Sequence, residues 1–153
     1  MKRDSGALMI ELVIALSVIA VGVLAFVSSF SANLRANNVS SRQDVAMAAL
    51  ENATEALRNS DFGELYNDFD GAALEAPGLE DPYGGTASIG VECFVDELNL
   101  PAEFGPLQDL DGSGGLESND VSTGYQLLPI RLTLDYAVSY GTETRQVFMV
   151  LGL

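Results

Sequence analysis

The sequence predicts an α+β fold in which one long N-terminal helix packs on a small antiparallel β-sheet. Two observations predict it. A helical pattern, first apolar and then amphipathic, fills residues 7–60, and residues 61–153 contain segments in which apolar and polar side chains alternate. A chain of 153 residues is also long enough to bury a core of its own. We therefore expect one globular domain that carries a helical extension.

The composition excludes several classes of function. The chain has no histidine and one cysteine, so it cannot build a Ser-His-Asp triad, an imidazole metal ligand or an intramolecular disulfide. Seven basic and 22 acidic residues give a net charge of −15, which argues against binding to nucleic acid. This excess lies in residues 61–153, which hold two basic and 17 acidic residues. We therefore expect that the chain is not an enzyme.

Residues 12–30 form a span of 19 residues without charge or proline. At about 1.5 Å rise per residue, a helix of this length just crosses a hydrocarbon layer of about 30 Å. Lys2 and Arg3 precede the span and the next basic residue is Arg35, which predicts a cytoplasmic N-terminus and an exported C-terminal domain. The alternative is a cleaved secretory signal, but its apolar region is shorter, roughly 7–15 residues.

Glu11 lies directly before this apolar span. A carboxylate at the end of a membrane helix is costly and needs a cationic partner, but no basic residue lies one helical turn away. A cut after Gly6 would create a new α-amine on Ala7, four residues before Glu11 and within helical reach of it. Removal of a short leader in this way would supply the positive charge that Glu11 lacks.

Residues 1–30 resemble the class III signal of type IV pilins and type II secretion pseudopilins. The resemblance rests on the basic leader, the long apolar helix and the segment Gly6-Ala7-Leu8-Met9-Ile10-Glu11. It implies that a prepilin peptidase cuts after Gly6 and methylates Ala7. It also implies that Glu11, the fifth residue of the mature chain, helps to place each subunit in a growing fibre. Ala7 departs from the Phe that this family most often has there.

The resemblance further implies a pilin-like fold and a role as a structural subunit, either a minor pilin or a pseudopilin. Its partners would be prepilin peptidase and other pilin or pseudopilin subunits. Before assembly the inner membrane would hold it as a single-pass protein, and afterwards it would lie in a pilus or pseudopilus. The expected segments are a cleaved leader, 1–6, a transmembrane and polymerisation helix, 7–30, its amphipathic continuation, 31–60, and an acidic globular domain, 61–153.

The helical pattern continues beyond residue 30 with a spacing of about 3.6 residues. One stripe and its flank comprise Ala46, Met47, Ala49, Leu50, Ala53, Ala56 and Leu57. Turn-forming residues at 59–63 predict the end of the helix. We expect this stripe to pack on the protein's own sheet.

Three strands are predicted in the globular part. Residues 61–85, rich in glycine and proline, are expected to form a long surface connection. Alternation over 87–96 predicts a strand with Cys93 inward, as a buried residue rather than a reactive thiol. Alternation from Ile130 to Tyr140, followed by a second strand-like run over 144–151, predicts a β-hairpin with one apolar face and its turn at 141–143.

Residues 109–120 match the ligand spacing of a twelve-residue calcium loop, with Gly114 at the position of the sharp turn. The predicted oxygen ligands are Asp109, Asp111, Ser113, the carbonyl of Gly115, Glu117 and Asp120. The last position holds Asp instead of Glu, and Pro106 and Gly124 indicate flanks that are not helical. Bound Ca²⁺ would have a structural role, because it offsets repulsion between the carboxylates. The alternative is a solvated turn rich in Asp and Gly.

The sequence is also compatible with a function of another class. The chain could be an uncleaved single-pass membrane protein that displays an extracytoplasmic, calcium-dependent binding domain. The mature N-terminus discriminates between the two, since a pilin begins at methylated Ala7 and the uncleaved protein keeps Met1.

Overall fold

The computed structural model describes residues 4–116 and 120–153, and of residues 4–8 it describes the backbone only. Two helices, α1 and α2, four strands, β1 to β4, and two short 3₁₀ helices make up the described chain. In chain order they are α1, Asp4–Arg58; a 3₁₀ helix, Phe62–Glu64; α2, Leu65–Phe69; β1, Ala73–Glu80; β2, Thr86–Cys93; a 3₁₀ helix, Ala102–Phe104; β3, Leu127–Val138; and β4, Gly141–Gly152.

The chain divides into two compact units, one ending at Ser40 and the other spanning Ser41–Leu153. The first unit consists of the N-terminal part of α1. The second unit contains the rest of α1, from Ser41 to Arg58, and the whole sheet. Within the second unit the helix packs on an antiparallel sheet, which confirms the predicted α+β fold.

The four strands form one sheet in the order β1-β2-β3-β4, and each strand pairs antiparallel with its neighbour in the chain. The apolar faces of β2 and β3 supply much of the core, because alternate residues of both strands are buried. Cys93 is among these buried residues, as its place in the alternation predicts. Helix α1 contributes five residues at helical spacing to the core: Ala46, Ala49, Leu50, Ala53 and Leu57.

Two residues of the predicted stripe do not belong to the core. Met47 is 48% exposed and Ala56 is also exposed. The side of the helix that faces the sheet is therefore centred closer to Ala46, Ala49 and Ala53 than the predicted stripe is. Small side chains there allow the helix backbone to approach the sheet closely, which leaves the larger Met47 at the margin.

The connection predicted over 61–85 is wrong in part. The segment contains the first 3₁₀ helix, α2 and the whole of β1, so the sheet has four strands among the described residues instead of three. Pro77 and Gly78 made this segment look like a loop. Burial of Ala76 and Leu79 against the core holds it in the sheet despite those two residues.

The β3–β4 hairpin is confirmed, but its turn lies two residues earlier than predicted. Val138 pairs with Gly141, so that Ser139 and Tyr140 form a two-residue loop. Gly141 has a φ of 152°, a value that L side chains rarely adopt. Tyr140, predicted to continue the strand, is 68% exposed in this loop.

Candidate functional site

The N-terminal unit presents apolar side chains on every side of α1. From Met9 to Leu34, each large apolar residue is between 53% and 71% exposed. The most apolar window of 18 residues has a mean hydropathy of 2.7, and none of it is buried. Within the described residues this is one helix long and apolar enough to cross a membrane. Apolar surface on this scale is unusual for a protein that stays in water.

The predicted processing residues lie at the start of this helix. Gly6 and Ala7 have helical backbone, and the side chain of Ala7 is outside the described part of the structure. Glu11 is exposed and lies about one helical turn after Ala7. The ion pairs formed by the described residues join Arg42 to Glu80, Arg131 to Glu92 and Arg145 to Glu143, and Glu11 belongs to none of them. Within the described chain, Glu11 is therefore an acidic residue without a basic partner.

In the second unit, polar contacts tie the helix to strands at both edges of the sheet. The guanidinium of Arg42 donates to the carbonyl of Ala137 at 2.6 Å and lies 3.5 Å from the carboxylate of Glu80. The amide nitrogen of Gln43 lies 3.2 and 3.3 Å from the two oxygens of Glu143. The sequence pattern did not predict these contacts, because they join residues that are far apart in the chain.

Glu143 is the centre of the second set of contacts. Its carboxylate also accepts hydrogen bonds from the hydroxyls of Tyr140 and Tyr136. These bonds, with that from Gln43 and the nearby Arg145, lower the pKa of Glu143 from 4.5 to about 2. The carboxylate is therefore charged over the whole physiological range of pH.

The acidic loop brings together only part of the predicted ligand set. Carboxylate oxygens of Glu97, Asp109 and Asp111 lie within 4.8 Å of one another. Glu97 is buried, and its Oε1 accepts the backbone N–H of Leu110 at 2.5 Å. Three carboxylates this close, all oxygen donors, are chemically suited to a hard divalent cation.

The backbone wraps around the two aspartates of this cluster. Asp109 accepts the N–H groups of Ser113 at 3.1 Å and Gly114 at 2.7 Å, and Asp111 accepts that of Ser113 at 2.9 Å. The bond from Ser113 is the main reason why the pKa of Asp111 is lowered. Gly114 has a φ of 89°, which fits the sharp turn predicted at this residue.

The other predicted ligands are not members of the carboxylate cluster of Glu97, Asp109 and Asp111 in the described part of the chain. The hydroxyl of Ser113 donates to the carbonyl of Gly115 at 3.4 Å, so these two groups contact each other. Glu117 lies outside the described residues. Asp120 is not a member of the carboxylate cluster, and its Oδ1 accepts the N–H of Ser122 at 2.9 Å. Glu97, which sequence spacing did not predict, takes a place in the cluster because the fold carries it there from twelve residues before Asp109.

Comparison of the chain with protein-family models, with curated proteins and with solved structures gives no match.

Proposed function

We propose that this chain is a structural subunit, a minor pilin or pseudopilin, of a type IV pilus-like or type II secretion fibre. The observation that carries the proposal is the exposed apolar part of α1 from Met9 to Leu34, which has one carboxylate, Glu11, near its beginning. A helix of this kind needs lipid or other apolar helices around it. Assembly of subunits through their N-terminal helices provides both in succession.

In the first step of the proposed mechanism, the apolar helix holds the subunit in the inner membrane. The N-terminus is cytoplasmic, as the charges of Lys2 and Arg3 favour, and the acidic unit is outside. A prepilin peptidase then hydrolyses the peptide bond after Gly6, which frees the α-amine of Ala7 four residues before Glu11. The enzyme then transfers a methyl group from a methyl donor to this amine, which stays cationic.

In the last step the helices leave the lipid and pack side by side. Glu11 of one subunit then pairs with the amine of a neighbouring subunit. An unpaired carboxylate in an apolar environment is strongly unfavourable, so only the axial position that allows this pairing is stable. The apolar surface supplies most of the association energy, and Glu11 selects the register.

The identity of the first residue of the mature chain tests this proposal. We expect intact-mass spectrometry of the full chain, co-expressed with the prepilin peptidase of its own system, to show loss of residues 1–6 and one added methyl group. Gly6→Val should block the cut because a branched side chain does not fit where glycine is required. Gly22→Val is the matched control, since an added side chain there meets no atom within 4 Å, and it should be processed normally. A native chain that keeps Met1 beside active peptidase would contradict the proposal and favour an uncleaved single-pass membrane protein.

We also propose that the acidic loop binds Ca²⁺ as a structural ion. The cluster of Glu97, Asp109 and Asp111 supports this, because its oxygens lie close enough together to bind one cation, and a divalent cation offsets the repulsion between the carboxylates. These three residues would hold the ion, and it would stabilise the long connection between β2 and β3. Free calcium is scarcer in the cytoplasm than outside, so the loop would gain this stability after export.

A further inference from the structure

The two outer strands of the sheet, β1 and β4, differ in how they present their free edges. A free edge exposes backbone N–H and C=O groups that can pair with another strand. Proteins normally prevent such pairing with proline, bulges, charged side chains or short strands. A free edge without these features is a candidate binding surface.

Strand β1 has several features that prevent pairing. Its register with β2 shifts between Ala76 and Glu80, so its backbone is irregular at that point. Pro77 lies within the irregular segment and has no N–H to donate. Glu75 is exposed and adds negative charge. We expect no added strand at this edge.

Strand β4 lacks the proline and the register shift of β1. All twelve of its residues, Gly141–Gly152, pair with β3 in unbroken register, and the strand contains no proline or lysine. Its two charged residues, Glu143 and Arg145, lie 3.6 Å apart and compensate each other. The strand is long and regular, and in the described part of the chain it pairs with β3 alone.

The hydrogen bond from the N–H of Leu153 to the carbonyl of Gln126, 3.1 Å long, fixes which groups of β4 point outward. Directly opposite residues in an antiparallel ladder alternate between bonded and non-bonded pairs. The backbone N–H and C=O groups of the odd-numbered residues of β4 therefore form the hydrogen bonds to β3. The outward backbone groups belong to the even-numbered residues, Thr142, Thr144, Gln146, Phe148, Val150 and Gly152.

A hollow of about 360 Å³ lies between the helix and β4. Met47, Leu50 and Val147 form its apolar surface. Glu51, Glu55 and Arg58 also line it, and both glutamates are exposed. A strand added beside β4 would place every second side chain on the helix side of the sheet, next to this hollow.

We propose that the edge of β4 binds an extended segment of a different polypeptide, which adds to the sheet as a fifth strand. Its helix-side positions carry apolar side chains, which enter the hollow, and lysine or arginine, which pair with Glu51 and Glu55. A second copy of this chain is disfavoured as the occupant, because both copies would carry a net charge of −15. This inference does not depend on the proposed role in a fibre.

The experiment uses the full chain in a non-ionic detergent and a synthetic nine-residue peptide. The peptide has the sequence Thr-Lys-Thr-Leu-Thr-Leu-Thr-Lys-Thr. At saturating peptide we expect amide hydrogen exchange at Thr144, Gln146 and Phe148 to slow at least about tenfold, because these N–H groups become bonded to the added strand. Amides of β1 should be unaffected. Unchanged exchange in β4 at millimolar peptide would overturn the proposal, as would slow exchange there without peptide, which indicates a second copy.

Two variants test the geometry and the charge separately. Gln146→Pro removes an outward N–H that the ladder with β3 does not use, so binding should be lost, whereas Gln146→Thr should still bind. The double substitution Glu51→Lys and Glu55→Lys changes two exposed residues of the helix. It should weaken peptide binding at least about tenfold, because the peptide lysines would then face like charges. A peptide with glutamate in place of lysine should then bind this double variant better. Equal binding of both peptides to the native chain would refute the charge assignment.

Discussion

The carboxylate of Glu143 on β4 accepts a hydrogen bond of 2.7 Å from the hydroxyl of Tyr136, the residue directly opposite it on β3. Gln43 of the helix bonds to the same carboxylate. One ionised side chain therefore joins the helix and the last two strands. This explains how the hairpin is held against the helix near residue 43, where the buried apolar stripe has not yet begun.

Glu143 makes the stability of the second unit depend on pH. Its pKa is about 2 in the folded protein and 4.5 ordinarily, so its contribution is complete above about pH 4.5 and is lost as the pH falls toward 2. Glu143→Gln should lower the Tm at pH 7, and the difference from the native chain should shrink toward pH 2. Thermal unfolding followed by tyrosine fluorescence from pH 7 to pH 2 measures this. A difference in Tm that is constant over that range would contradict it.

The core of the second unit should respond to truncation of Leu50 far more than to truncation of Met47. Leu50 is 1% exposed and Met47 is 48% exposed, although they are neighbours on the helix. Leu50→Ala should lower the free energy of unfolding by about 2–5 kcal/mol, because it leaves a cavity. Met47→Ala should lower it by less than about 1 kcal/mol. Urea unfolding of both variants compares them, and similar losses would show that the buried side of the helix is assigned wrongly.

Glu11 should affect fibre assembly and leave processing unchanged. Glu11→Ala removes the carboxylate that pairs with the new α-amine in the proposed fibre. We expect normal membrane insertion and cleavage, and a loss of incorporation of at least about tenfold, since burying the amine without its partner is costly. Asp44→Ala is the control, because Asp44 is an exposed acid of the same helix. Immunoblots of sheared fibres and membranes give the two amounts, and equal incorporation of both variants would exclude the register role.

Calcium should raise the Tm of the full chain. At a concentration of about 100 times the dissociation constant, binding adds about 2.7 kcal/mol to the free energy of unfolding. Asp109→Asn with Asp111→Asn should abolish the increase, because two of the three clustered carboxylates are lost. Glu64→Gln with Asp68→Asn removes the same charge from exposed positions elsewhere and should retain it. If calcium does not shift the Tm of the native chain, the loop is not a calcium site.

The sequence predicted those elements whose pattern is strong over many residues. The helix is continuous to Arg58, and β2 and the β3–β4 hairpin overlap the segments in which alternation predicts them, although β2 ends at Cys93 and the hairpin turn lies two residues early. These patterns follow from the fixed periods of helix and strand, which place apolar residues on one side of an element before any tertiary contact forms. The apolar span and the position of Glu11 are likewise properties of the sequence itself.

Tertiary structure alone decided the rest. Strand β1 contains Pro77 and Gly78, so only the burial of Ala76 and Leu79 makes it part of the sheet. Glu97 joins Asp109 and Asp111 because the chain between them folds back, and no local period records such a distance. Local periodicity reports which side of an element is apolar. Which elements meet, and which polar groups then become neighbours, is determined by packing between residues far apart in the chain.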